Sequence, residues 1–163
     1  MVNKIEENVI AKEDAVFWLD QHGCWRNANG KFEHQKIIDY FHSCIKRDQG
    51  GYYLSQINGN CREKVYFPYE DQALFVFDVI RQGHITLILN TKKQIALDPE
   101  SLFLKDDNLY MRMGDETIKF VEHGLLKISP FLEDDEGRLY IRLKDTRYKI
   151  TILDDSSKDP AVR

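Results

Sequence analysis

"EKVYFPYEDQALFVFDVI", residues 63–80, sets two strand-like runs on either side of a proline. Pro68 cannot donate a backbone hydrogen bond, so it belongs at a strand end or edge. The run before it, with "YYLSQI" upstream, reads as a pair of strands around "NGNC". The run after it, "ALFVFDVI", and the following "HITLILN" are apolar on both faces, with "RQG" between them making a short hairpin. Strands of that kind sit centrally, covered on both sides. Glu70 and Asp71 fall at the handover between the two pairs. They are either the ties of a corner or the rim of a site.

Upstream, "AVFWL" and "GCWRNANGKF" read as two short strands around His22-Gly23, with a second turn from Asn27 to Gly30. From Glu33 to Arg47 the period changes: Ile37, Ile38, Phe41, Cys44 and Ile45 share one helical stripe. "DQGG" stops that helix, with glycine supplying the positive φ of a C-terminal cap. Residues 1–12 are polar and mixed in charge, a short helix or a loose arm. Downstream, short strands recur at "LFL" and "LYMRM", and a helix-like segment spans Thr117 to Ile128, limited by Ser129-Pro130. The strands "RLYIRL" and "RYKITIL" follow around a Lys144-Asp145-Thr146 turn, and the tail 154–163 reads as disordered.

Side by side, the two parts repeat an order at an offset of about 85 residues. The first has "DQGGYYL" then "REKVYF"; the second has "DDEGRLYIRL" then "TRYKITIL". The expected fold is therefore α+β, two related strand–strand–helix–strand–strand halves with antiparallel sheet. The expected organisation is an N-terminal arm (1–12), a first half with the main helix and central hairpin (13–98), a second half that is a degenerate repeat (99–153), and the tail (154–163).

The totals narrow the function. Net charge is −4 and no basic run is present, while nucleic-acid binding needs a concentrated Lys/Arg surface. No segment approaches the roughly 20 apolar residues of a membrane span, and the N-terminus lacks an apolar stretch of signal-peptide length. Cys24, Cys44 and Cys61 are an odd number without CxxC spacing, most simply reduced thiols of a cytoplasmic protein.

Several short motifs in order carry a resemblance. "GCWRNANGKFEHQKIIDYF", "GGYYLSQ", "EKVYFPYEDQALFV" and "LNTKKQIALD" together resemble the bacterial family known as domain of unknown function 1285. The likeness covers Phe17 to Leu97 well and Leu109 to Arg142 faintly. Gln72-Ala73-Leu74 replaces the family's alanine-proline-phenylalanine, and Leu89 and Lys92 replace its threonine and glycine around Asn90. The resemblance implies an α+β fold of two related halves and transfers no activity. A ligand-binding or signalling role is what such a duplicated fold suggests by analogy.

Candidate chemistry is sparse. Glu70 and Asp71 are adjacent on an extended chain and point to opposite sides, so they cannot pincer one proton between them. Asp71 ties the turn, or one of the pair receives a polar ligand beside Tyr66 and Tyr69. His34 and His42 stand about 80° apart on the helix, and Cys44 about 200° further on, so the three do not converge on a metal. His42 reads as an exposed or boundary residue. No nucleophile elbow or phosphate-binding loop is present, and Cys44 on the apolar stripe is inert. Phe75 and Phe77 lie among aliphatic residues and Asp78, as core rather than as a base-stacking platform. Trp25, beside a turn, caps the core or lines a pocket, with the cap preferred.

The resulting expectation is a non-catalytic cytoplasmic module that binds a small-molecule ligand or a protein partner, in regulation or signal transduction. No cofactor, metal, nucleic acid or membrane is expected, and a homo-oligomer is compatible with the sequence. A cleft between the halves is the default ligand site, with Trp25, Tyr66, Glu70, Asp71 and Asn90 as candidate ligand-binding residues. The alternatives are a small enzyme using carboxylate and tyrosine acid–base groups, and a structural adaptor acting through oligomerisation.

Overall fold

The computed structural model describes residues 6–153. Two compact units result: the described residues up to Ala73 with Asn90–Lys92, and Leu74–Leu89 with the described residues from Lys93 on. The predicted tail and the first five residues of the predicted arm lie outside the described residues.

The first unit opens with β1 (Glu6–Ile10), β2 (Phe17–Leu19), β3 (Trp25–Asn27), β4 (Gly30–Lys31) and α1 (Gln35–Ser43). β2, β3 and β4 make a small antiparallel sheet. Asp20 builds its first turn, accepting from the backbone N–H groups of His22 and Cys24, each at 2.9 Å, and from Arg26 Nε at 2.7 Å. A carboxylate this buried persists as a charge only when so satisfied. Burial pushes its pKa up, but the Arg26 bond and the two amides outweigh that and hold it below the usual range. Gly23 takes φ 80° in the same turn, where a side chain would be strained.

α1 is shorter than its periodicity suggests. Cys44 is the C-cap, and β5 (Ile45–Asp48) begins at once. The buried face is also rotated: Ile37 is 45% exposed, whereas His42 is 2% exposed. His42 is thus a core residue, not a boundary one. β5, β6 (Gly51–Asn58) and β7 (Cys61–Tyr66) form an antiparallel meander, and β1 pairs with β7 in parallel. β1 occupies residues that read as a loose arm or helix. Gly50 and Gly51 turn the β5–β6 hairpin instead of capping a helix. A Cβ on Gly50 would stand 2.8 Å from Tyr66 Oη, and Gly51 has φ 113°.

The second unit comprises β8 (Leu74–Gln82), β9 (His84–Leu89), β10 (Gln94–Ala96), β11 (Leu102–Lys105), β12 (Asn108–Met113), β13 (Glu116–Phe120), α2 (Glu122–Ile128), β14 (Leu132–Asp135), β15 (Arg138–Leu143), β16 (Thr146–Lys149) and β17 (Thr151–Leu153). Its main sheet runs β10-β9-β8-β13-β12-β11-β17, and β14-β15-β16 form a separate antiparallel sheet. The predicted β8–β9 hairpin is present. β8 is fully buried over Leu74–Val76, but β9 alternates, with Ile85, Leu87 and Leu89 buried and Thr86 and Ile88 partly exposed. Only part of the hairpin is covered on both faces.

The segment Thr117–Ile128 is not one helix. Thr117, Ile118, Lys119 and Phe120 are all buried, because β13 lies between β12 and β8. A helix there would turn some of these residues to solvent. α2 follows, pressed onto β8 so closely that a Cβ on Gly124 would lie 2.7 Å from the Val76 carbonyl oxygen.

The α+β expectation is overturned. Among the described residues the fold is mostly β, 54% strand against 17% helical, with two α-helices and several sheets in place of strand–strand–helix–strand–strand halves. Nor is the sheet uniformly antiparallel, since β1·β7, β8·β13 and β11·β17 pair in parallel. The cause is local: both predicted helices contain a strand that begins or ends without glycine or proline to mark it. No described helix is long and apolar enough to cross a membrane.

Candidate functional site

The residues singled out by sequence all lie in the first unit, but they do not form one constellation there. Trp25 is 1% exposed. Its ring meets Phe17, Phe41, Phe67 and His42 at centroid distances of 5.7, 5.5, 5.0 and 5.5 Å, mostly edge-on as aromatic quadrupoles favour. Its indole Nε1 is buried with no hydrogen-bond partner among the described residues. Asn90 is also buried, and its Nδ2 donates to the Ala73 carbonyl and to His42 Nδ1, both at 3.1 Å. Trp25 and Asn90 therefore meet on one imidazole.

Because Nδ1 accepts from Asn90, the proton of neutral His42 belongs on Nε2, in keeping with a hydrogen bond to the Gly23 backbone. Burial pushes the His42 pKa down to about 4, against smaller upward pulls from Asp39 and Gly23. A neutral imidazole fully enclosed in this way holds structure together rather than trading protons with solvent.

Tyr66 belongs to a different cluster. Its hydroxyl is 2.9 Å from both carboxylate oxygens of Asp48, which also pairs with Lys64. Lys64 Nζ stands 4.6 Å from the Tyr53 ring centroid, a cation–π contact. The Lys64 bond chiefly holds Asp48 below the usual carboxylate range, and the Asp48 bond chiefly raises Tyr66. A raised tyrosine is less able to ionise, the opposite of what a tyrosine base needs.

Glu70 is tied to the β2 end: its Oε2 accepts from Gln21 N–H, and its own N–H donates to the Leu19 carbonyl, both at 2.9 Å. Asp71 is half-buried beside it in sequence. The corner is held by these bonds.

A cavity of about 430 Å³ lies instead within the second unit. Its walls come from the β8–β9 hairpin (Arg81 to Ile85), the end of β10 and the residue after it (Ala96, Leu97), Phe131, and the β15–β16 hairpin (Leu143, Lys144, Thr146, Tyr148). The volume falls within the range of small-molecule sites. Ile85 is buried, and Leu97, Phe131, Leu143 and Tyr148 are half-buried, making an apolar floor. Arg81, His84 and Lys144 stand exposed around it. No carboxylate is among the lining residues, in a chain whose net charge is −4. The Arg81 guanidinium lies 5.4 Å from the Phe131 ring centroid, which holds the cation against the apolar wall.

Sequence reading missed this site because each contributing stretch looks like an ordinary turn. Gly83 (φ 75°) and Lys144 (φ 56°) are left-handed turn positions, and nothing local shows that the two hairpin tips face one space. Among the described residues, no group of three His, Cys, Asp or Glu could hold a metal.

The fold, though not the sequence as a whole, has relatives. The chain is similar to the crystal structure of a DUF1285 family protein from Silicibacter pomeroyi DSS-3, at a TM-score of 0.56 and 14% identity, covering 89% of this chain and 82% of that one. It is also similar to a DUF1285 family protein from Shewanella baltica OS155, at a TM-score of 0.46 and 19% identity, covering 66% of this chain and 84% of that one. No family model matches the chain, and no curated protein matches it significantly. The chain has a DUF1285-like fold. At this identity the likeness is one of fold alone, and it brings no activity with it.

Proposed function

We propose that the chain is a binding module whose second unit takes a small-molecule ligand in the cleft between the two hairpin tips. The observation that carries the reading is the cleft itself: about 430 Å³, lined by apolar side chains together with the exposed Arg81, His84 and Lys144. Its lining offers the hydroxyls of Thr146 and Tyr148, the His84 imidazole and the cations Arg81 and Lys144, groups suited to holding a polar ligand, and the output in this reading is occupancy. Occupancy that reports a ligand's presence suits a regulatory or signalling use.

Filling the space tests the reading. Ala96 is an exposed lining residue on β10, and Ala96→Trp would occupy the cleft without touching the core. Native mass spectrometry of freshly purified protein should show extra mass, lost on denaturation at a fixed ratio per chain, and Ala96→Trp should remove it. Retention of that mass by a folded Ala96→Trp protein would sink the reading.

The adaptor reading rests on a separate observation, the exposure of Ile37 (45%) and Tyr40 (50%) on α1. It predicts a stable dimer in the same spectrum, dispersed by Ile37→Lys.

A further inference from the structure

We infer that the ligand of the cleft in the second unit is a small amphiphilic carboxylate, an anionic head on an apolar body; this rests on the binding-module reading above. Charge selects the head. Arg81, His84 and Lys144 are the charged or chargeable side chains of the lining, and no carboxylate lies among them. Asp145, next to Lys144 in sequence, is not a lining residue. Among the described residues, Arg81 and Lys144 have no acidic partner, and the Arg81 guanidinium lies over the Phe131 ring. In the same chain Arg26, Lys64, Lys127, Arg142 and Arg147 all pair with carboxylates. The two cations at the cleft are therefore left to an anion from outside.

Shape selects the body. The floor is Ile85, Leu97, Phe131, Leu143 and the Tyr148 ring, which a fully hydrophilic anion would leave wet. A guanidinium held beside an aromatic ring presents a planar fork to a carboxylate while the ring meets what the carboxylate carries. No helix N-terminus contributes to the lining, so the backbone donors that usually cradle phosphate are lacking there. A carboxylate is the better fit.

Paired titrations separate this inference from the reading beneath it. Amide resonances of the full chain would be followed with naphthalene carboxylate and with its neutral carboxamide. The carboxylate should shift Arg81–Ile85 and Leu143–Tyr148, and bind about tenfold more tightly than the carboxamide, since one charge-assisted contact is worth about that factor. Arg81→Gln with Lys144→Met, both exposed and so harmless to folding, should bring the carboxylate down to the carboxamide's affinity. Equal binding of both compounds at the cleft would overturn the carboxylate assignment and leave the binding site standing. If neither compound moved these resonances, site and assignment would fall together.

Discussion

Asn90 Nδ2 and His42 Nδ1 lie 3.1 Å apart, buried, although the two residues are 48 positions apart in the chain. The same Asn90 amide reaches the Ala73 carbonyl, so within the first unit one side chain ties α1 to the backbone at Ala73. That bond requires His42 to be an acceptor at Nδ1, and the whole arrangement requires the ring to be neutral.

Stability should therefore depend on pH through His42. Its folded pKa is depressed to about 4 from 6.5, so the unfolded chain binds more protons between those values. The stabilisation is fully present above pH 6.5 and is lost as pH falls toward 4, a total of about 3 kcal/mol at 1.36 kcal/mol per pH unit. Urea unfolding across that window, in wild type and His42→Gln, checks it. Subtraction removes the carboxylates common to both, and the difference should rise with pH and flatten above 6.5. A pH-independent difference would contradict the neutral buried ring.

Trp25 yields a second contrast. Trp25→Ala opens a cavity among four aromatic neighbours and should cost about 3–5 kcal/mol. Trp25→Phe leaves a smaller void and also removes an indole N–H that lacks a partner among the described residues. Leaving that donor buried already costs about 1–3 kcal/mol, so Trp25→Phe should lose under about 2 kcal/mol in denaturant melts. An equal loss for the two variants would mean that the indole nitrogen is satisfied in solution.

The two carboxylates near the β2 turn should behave unequally. Asp20 is 2% exposed and accepts three bonds, so Asp20→Asn should cost about 2 kcal/mol or more through lost charge-assisted bonds. Glu70 accepts one exposed bond from Gln21. Glu70→Gln retains an acceptor and should shift stability by under about 0.5 kcal/mol. Thermal melts of the two proteins, side by side, read the difference directly. A larger loss for Glu70→Gln would make Glu70 more than a surface tie.

The hairpin of β8 and β9 was legible because two apolar runs flank a three-residue polar break, a pattern with few other readings. Pro68 marked the corner for the same reason: it lacks a donor. The helices were legible in place but not in length. Phe41, Cys44 and Ile45 satisfy a helical stripe, yet Ile45 is buried as the first residue of β5. Likewise Thr117 to Phe120 reads as helix only until its burial on both faces is seen. Asp20, a buried carboxylate that accepts three bonds, ends "FWLD", and its spacing to Arg26 carries no motif. The cleft is illegible for a stronger reason, since its walls come from four stretches separated by up to dozens of residues. The resemblance pointed to the right fold relatives, but its α+β expectation fails where strands replace predicted helix.

Gly124 offers a test in which two effects oppose each other. It lies within α2, where replacing glycine by alanine favours helix by about 1 kcal/mol. Packing acts the other way. A Cβ at Gly124 would sit 2.7 Å from the Val76 carbonyl oxygen and 3.3 Å from Val76 Cγ1, and the first of these is backbone in a buried strand. That carbonyl also accepts from Val121 N–H at 3.3 Å, so it cannot swing aside without loosening the start of α2. Overpacking of this kind costs about 1–3 kcal/mol, more where backbone must shift. The clash should win, and Gly124→Ala should lower stability by about 1–2 kcal/mol net, read as a lower urea midpoint at unchanged slope. Hydrogen exchange should quicken first along α2 and Val76, while the Trp25–His42 cluster keeps its protection. A stabilised Gly124→Ala protein would mean that α2 stands further from β8 than a glycine contact requires.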